Sequence, residues 1–383
     1  MHKTILLFSR DPGGANVIIP LVEPLRRKGY NIRLFGKDHA LKKYDEAGIA
    51  SFNIIEHVHD IELKDIELFL TKEKPDCIIT GTSGDDFTER FIWKSAEKLG
   101  ILSFAILDQW INYGIRFSKY VLSELNKYKE DKTHRYLPSK ILVMDEYAKQ
   151  EAIKDGLMPA VIEVVGNPHF ETLLHKKDTI TKETINEIRN YLKVGSSGFL
   201  ITFASEPVAD DYDKEDSAQL YWGFTEKTIF KGLMEVLKIA SGTTGREICV
   251  VLKLHPRENP NSFFALIDTY EADPIRVVIS HKLDSHTLMA ASDLICGMSS
   301  MFLIESIILD KPAISILIGL HRENPFVFDR RGILKSILNR NDLIQKLTTV
   351  ILDNGDTAKC KFEFINNPIE NIINLLEKNI CLN

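Results

Sequence analysis

Short apolar runs separated by amphipathic stretches recur from the first residues of the chain. TILLFS and NIRLFG read as strands, with a helical pattern from Ala15 to Lys28 between them and another near His39 to Ala47. DCIIT, ILSFAIL, KILVMD and VIEVVG continue the series, with helical patterns over Phe87 to Leu99 and Glu146 to Asp155. Runs this uniformly apolar suit strands covered on both faces. Their alternation with helices predicts a parallel, doubly wound sheet.

A polar stretch rich in Lys and Thr, His175 to Asn190, breaks the rhythm and is predicted to be a helix leaving the first sheet. The alternation restarts with FLITFAS, a helix from Gln219 to Ala240, EICVVLKL, a helix near Ser262 to Tyr270, and IRVVIS. A helix near Ser285 to Ala291, DLICG, a helix after Ser299 and PAISILI complete the second series. The expectation is an α/β protein of two Rossmann-like domains, 1–175 and 193–350, joined by a linker helix over 176–192 and followed by a helical tail, 351–383. Asn341 to Lys378 reads as helices, and the amphipathic IENIINLLEKN is expected to cross back and brace the first domain. Two such domains facing each other would form a cleft lined by the loops at the carboxyl ends of their strands.

A chain of 383 residues exceeds what one core usually organises, which agrees with two domains. A formal charge of −6 supplies no basic field for a nucleic-acid backbone, so that class of partner is disfavoured. Cys77, Cys249, Cys296, Cys360 and Cys381 are scattered without CxxC spacing; the first three sit in apolar runs and read as buried thiols. MHKTILLFS is too short an apolar segment for a signal sequence or a membrane span, so a cytoplasmic, soluble protein is expected.

The strand reading fixes which loops to inspect. Arg10 to Asn16 (RDPGGAN) follows the first strand; Gly13 and Gly14 let backbone amides approach an anion, although a tight turn without a ligand fits equally and the GxGxxG spacing is missing. In GTSGDDF, Asp85 and Asp86 stand where a strand gives way to a helix; one suits a cap and the other a general base. LDQWINYGIRF sets Asp108 at a strand end, followed by Trp110, Asn112, Tyr113 and Arg116, a mixture suited to a sugar's apolar faces and polar rim, or to a core tryptophan. In the second half, Ser205 and Glu206 end one strand. His255 and Pro256 end another, where an imidazole donates to phosphate or shuttles a proton. Ser299 and Ser300 open a helix that carries Glu305 about one and a half turns on, a phosphate site by geometry if the serines are more than caps.

With these residues the chain resembles the GT-B superfamily of nucleotide-sugar enzymes. Its second half is similar to bacterial capsule and teichoic-acid transferases, including the CDP-glycerol glycerophosphotransferase and polysialyltransferase groups, whose His-Pro and Ser-Ser motifs serve the donor nucleotide. The resemblance implies that His255-Pro256 and Ser299-Ser300 are donor-phosphate ligands. Gly84-Asp85, and Asp108 with Gly114-Ile115-Arg116, are loosely similar to first-domain segments of the non-hydrolysing UDP-N-acetylglucosamine 2-epimerases. Those enzymes carry Ser-Gly-Gly and paired glutamates where this chain has Ser-Ser-Met-Phe and one glutamate, and Glu where it has Asp108.

The expected function is therefore transfer of a sugar or related group from a nucleotide-activated donor to a surface glycan, with epimerisation and non-catalytic nucleotide-sugar binding as rivals. The donor is expected on Ser205, Glu206, His255, Pro256, Ser299, Ser300 and Glu305, with Gly13 and Gly14 offering amides. Arg10, Asn16, Trp110, Asn112, Tyr113 and Arg116 are expected on the acceptor side. Asp85, Asp86 or Asp108 would be the base and His255 a proton shuttle. No metal or cofactor is required in this scheme, because helix amino ends and His255 offset the leaving diphosphate. The expected partners are the nucleotide-sugar donor and a glycan or lipid-linked acceptor, with peripheral contact at the inner membrane allowed.

Overall fold

The computed structural model describes residues 3–212, 221–270, 275–280, 283–355 and 362–380. The chain divides into two units: Met1–Thr172 with Glu363–Asn383, and Leu173–Phe362.

The first unit runs β1 (Thr4–Ser9), α1 (Pro12–Arg27), β2 (Asn31–Gly36), α2 (His39–Glu46), β3 (Phe52–Asn53), α3 (Leu63–Glu73), β4 (Cys77–Thr80), α4 (Thr88–Leu99), β5 (Leu102–Ile106), α5 (Leu125–Glu130), β6 (Lys140–Val143), α6 (Glu146–Lys154), β7 (Ile162–Val164) and the start of α7 (Pro168–Thr179), whose residues from Leu173 on belong to the second unit. Its seven strands form one sheet in the order β3-β2-β1-β4-β5-β6-β7, and every pairing is parallel. The order reverses between β1 and β4, which makes their carboxyl ends the place where such a sheet receives a ligand. α1 begins at Pro12, three residues before the expected start. A proline needs no amide partner in the first turn and its fixed φ suits a helix, so DPGG becomes the first turn. α3 was not anticipated; its buried Ile66, Phe69 and Leu70 recur at helical spacing within a mostly polar segment.

The second unit follows with α8 (Lys182–Tyr191), β8 (Phe199–Ala204), α9 (Val208–Tyr212), α10 (Glu226–Thr244), β9 (Ile248–Lys253), α11 (Phe264–Tyr270), β10 (Ile275–Ser280), α12 (Ser285–Ala291), β11 (Leu294–Gly297), α13 (Met301–Ile308), β12 (Ala313–Ser315), α14 (Val327–Arg330) and α15 (Arg340–Leu352). Its parallel sheet has the order β10-β9-β8-β11-β12, with the reversal between β8 and β11. α8, expected in a linker, packs on α12, and Leu192 and Val194 just beyond it enter a core with Leu200, Val251 and Leu288. α10 begins at Glu226 because Thr225 caps it, its hydroxyl accepting from Thr228 N–H; residues 219 and 220 lie outside the described chain.

The tail divides its loyalties. α15 lies on α10 in the second unit. The last helix, α16 (Pro368–Ile380), returns to the first unit, where Ile372, Ile373, Leu376 and Ile380 join the core made by β1, β4 and α1. Full burial of such side chains is worth about 1.5–3 kcal/mol each. Asn371 Nδ2 donates to Val165 O at 3.0 Å and Ile369 N–H to Glu171 Oε2 at 3.1 Å, which fixes the entry of the helix. Among the described residues no helix is long and apolar enough to cross a membrane. Cys77, Cys249 and Cys296 are buried free thiols; Cys360 and Cys381 lie outside the described residues.

Candidate functional site

In the first unit, the loops after β1 and β4 touch at the sheet reversal. A methyl group on Gly81 would stand 2.7 Å from Gly14 Cα, so the approach of the two loops requires glycine. Gly13 packs as closely on the Asp108 carboxylate, which projects from the end of β5. Asp108 receives Arg116 Nη1 at 3.3 Å, and the same nitrogen donates to Thr82 Oγ1 at 2.7 Å and Thr82 O at 3.1 Å. Burial pushes the Asp108 carboxyl up from its ordinary value against the pull of Arg116.

The other two candidate bases differ from it. Asp86 Oδ2 accepts from Lys37 Nζ at 2.6 Å and Oδ1 from Thr88 N–H at 2.8 Å. Burial opposes its ionisation, but the Lys37 ammonium and Thr88 prevail and hold it below the usual carboxylate value. It is the member of the pair that ties down the start of α4. Asp85 is exposed, and its Oδ1 accepts from Leu122 N–H at 3.3 Å. Arg10 Nε donates to Asp38 Oδ2 at 2.8 Å and Nη1 to Asp11 Oδ1 at 3.0 Å, with Asp86 Oδ2 at 4.0 Å, so the loop rim carries interleaved charges.

The expected sugar-facing residues are mostly framework. Trp110 is buried, stacks on Phe170 at 5.8 Å and donates its indole N–H to Asp145 Oδ1 at 3.0 Å. Tyr113 and Arg116 are also buried, and Asn112 takes a left-handed φ of 56° with its carbonyl accepting from Arg116 Nε. Asn16 is half-buried in the second turn of α1. The segment buries its apolar surface and uses its polar atoms within the first unit, on Asp145, Thr82 and Asp108.

Two residues here escaped the sequence reading. Arg90, fully buried, donates to four backbone carbonyls: Gly84, Arg116, Ser118 and Tyr120, at 3.1, 3.0, 3.1 and 2.6 Å. It staples the β4–α4 loop to the segment that carries Arg116. Glu89, 1% exposed, has no hydrogen-bond partner at either carboxyl oxygen among the described residues. Burial, with the nearby charges of Asp11 and Asp86, pushes its carboxyl up to about 8. Its place three, four and seven residues before Ile92, Trp93 and Ala96, all buried on one face of α4, was the available signal.

In the second unit, β9, β8 and β11 are neighbours, and the loops at their carboxyl ends carry the candidate phosphate ligands. The Ser205 hydroxyl donates to Glu258 Oε1 at 2.6 Å and the His255 N–H to Glu258 Oε2 at 2.6 Å. Ser299 N–H donates to Glu206 Oε1 at 3.0 Å, and Ser299 Oγ to Glu206 Oε2 at 3.0 Å. Ser300 is the N-cap of α13, accepting from Phe302 N–H at 3.1 Å. Arg257 N–H donates to His255 Nδ1 at 3.2 Å, which places a neutral ring's proton on Nε2; Pro256 is exposed. Glu305, expected within reach of a ribose or else solvated, is buried with its carboxylate 3.8 Å from His286 Nε2. Glu258 was not singled out from sequence, although an acid three residues after the strand-ending histidine is well placed to reach back to its amide. Burial raises the Glu258 carboxyl despite the two donors it accepts.

No family model matches this chain, and no curated protein matches it in sequence. Solved structures do. A UDP-GlcNAc 2-epimerase from Methanocaldococcus jannaschii superposes with a TM-score of 0.66 at 19% identity, covering 99% of this chain and 100% of its own. A putative UDP-N-acetylglucosamine 2-epimerase from Listeria monocytogenes gives 0.68 at 15% identity, with 99% and 97% covered. Anabaena HepE, in complex with UDP and glucose, gives 0.61 at 14% identity, with 98% and 100% covered. At these identities the likeness shows the fold: two Rossmann-like parallel-sheet units of the GT-B type.

Proposed function

We propose that this chain is an enzyme acting on a nucleotide-activated sugar. The observation that carries the reading is the set of donors at the sheet reversal of the second unit. The Ser205 hydroxyl, the His255 amide and the amide and hydroxyl of Ser299 converge at the ends of adjacent strands, and each grips a carboxylate oxygen. Donors that bind carboxylates from their own chain are suited to phosphate oxygens, and the start of α13 adds its dipole.

For the reaction, epimerisation at C2 of a UDP-N-acetylhexosamine takes first place. Its support is likeness: the epimerases superpose over nearly the whole of both chains, with TM-scores above that of Anabaena HepE. This reverses the order expected from sequence. Asp108, half-buried and bonded to Arg116, is the base that takes the C2 proton as the C1–O bond to UDP breaks; return of UDP to C1 and of a proton to the opposite face of C2 completes the inversion. Transfer to an acceptor hydroxyl is the second reading, favoured by Ser299-Ser300-Met301-Phe302 with the single Glu305 in place of a Ser-Gly-Gly segment and paired glutamates. In that case Asp108 takes the hydroxyl proton.

Inverting C2 breaks its C–H bond, so incubation with UDP-GlcNAc in deuterated water, followed by NMR, separates these readings. Deuterium at C2 supports epimerisation. Nucleotide release that depends on an added acceptor supports transfer. Absence of binding to UDP-, GDP-, CMP- and CDP-activated sugars overturns the proposal.

A further inference from the structure

Glu206 and Glu258 occupy the very donors that the nucleotide reading assigns to phosphate. Glu258 bridges the β8 and β9 loops through the Ser205 hydroxyl and the His255 amide, at 2.6 Å each. Glu206 bridges the β8 and β11 loops, closing both its oxygens on Ser299 at 3.0 Å, with a third approach to the amide at 3.3 Å. The two glutamates thus seat two anionic groups side by side across β8, each held by hydroxyl and amide donors.

Resting on the nucleotide-sugar reading, we propose that Glu206 and Glu258 are resident competitors for the ligand's phosphates, which make the seat selective for a diphosphate over singly substituted anions. The resident carboxylates are tethered, so their local concentration is far above that of any dissolved small anion. A monophosphate offers one group and displaces one carboxylate, leaving the other in place as an adjacent like charge. A diphosphate offers oxygens to both seats and regains all the donors that the two glutamates give up. Both side chains are half-buried rather than sealed in, so each has a route to solvent when displaced. No bond forms or breaks in this exchange.

The test is calorimetric titration of the intact wild-type chain and of Glu206→Gln, Glu206→Ala and Glu258→Gln with UDP and UMP, with circular dichroism confirming that each variant is folded. Removing one resident charge converts charge-assisted bonds to neutral ones, so UDP is expected to bind about tenfold tighter to each variant. The preference for UDP over UMP should shrink in the same variants. Unchanged or weaker UDP binding by folded variants, with wild-type binding intact, overturns the inference and leaves the nucleotide reading standing. If neither wild type nor any variant binds UDP, the nucleotide reading fails and takes the inference with it.

Discussion

Replacing Glu89 by glutamine should change how the stability of the first unit depends on pH. A glutamate in an unfolded chain titrates near 4.5, whereas burial beside Asp11 and Asp86 raises the Glu89 carboxyl in the fold to about 8. Between those values the folded protein holds a proton that the unfolded chain has released. Stability from this group is therefore complete below the unfolded value and is lost as pH rises toward the folded one, with a slope of up to about 1.4 kcal/mol per pH unit. Glu89 is 1% exposed, so solvent screening does not dilute the effect. From pH 5.5 to 7.5 the wild type should lose roughly 3 kcal/mol that the glutamine variant keeps. Urea denaturation followed by tryptophan fluorescence reads this directly, because Trp93 and Trp110 both report on the first unit and Trp222 on the second. The variant should gain on the wild type by that margin between the two pH values. An equal difference at both would show that Glu89 is ionised in the fold and would refute the argument.

Arg90→Met removes a donor from four carbonyls, of which Gly84 O keeps Leu122 N–H, and thermal unfolding should show a loss on the order of 3 kcal/mol, with Arg90→Lys intermediate. Gly81→Ala forces a methyl group to 2.7 Å from Gly14 Cα and should destabilise the first unit by roughly 1–3 kcal/mol, while Gly232→Ala, which points into open space on α10, should stabilise by up to about 1 kcal/mol in the same assay. Asp108→Asn should lower turnover on UDP-GlcNAc by about 10²–10⁴-fold while leaving UDP affinity, measured by titration, within twofold of wild type.

Most of the architecture was legible because strands buried on both faces announce themselves as continuous apolar runs. TILLFS, CIIT, FLITFA and ICVVLK became central strands, β1, β4, β8 and β9, and once they were placed the ligand-side loops followed from topology. α3 was hidden because its three buried residues sit in a charged stretch with only one narrow apolar stripe. Within the site, sequence marked the strand-end residues but not their internal partners. Asp86 is held ionised by Lys37, which comes from a distant position in the chain, and Arg116, although marked in the same segment as Asp108, turned out to bond that carboxylate and not a sugar. Trp110 illustrates the same limit: an aromatic among polar neighbours suggests a sugar platform until Phe170 and Asp145 are seen to occupy its ring and its N–H. Glu206 and Glu258 taught the opposite lesson: the donors were found from sequence, but Glu206 was expected beside the ligand and not on Ser299, and Glu258 was not singled out.

The central claim is that the donors at the ends of β8, β9 and β11 hold a nucleotide's phosphates. Hydrogen-exchange mass spectrometry of the intact chain with and without saturating UDP measures it most directly. The account predicts slowed exchange in the segments around Ser205, His255 and Ser299, which carry the donors, and unchanged exchange in α15, which packs on α10 and carries none of them. Saturating UDP that protects other segments and leaves these three unaltered would contradict it.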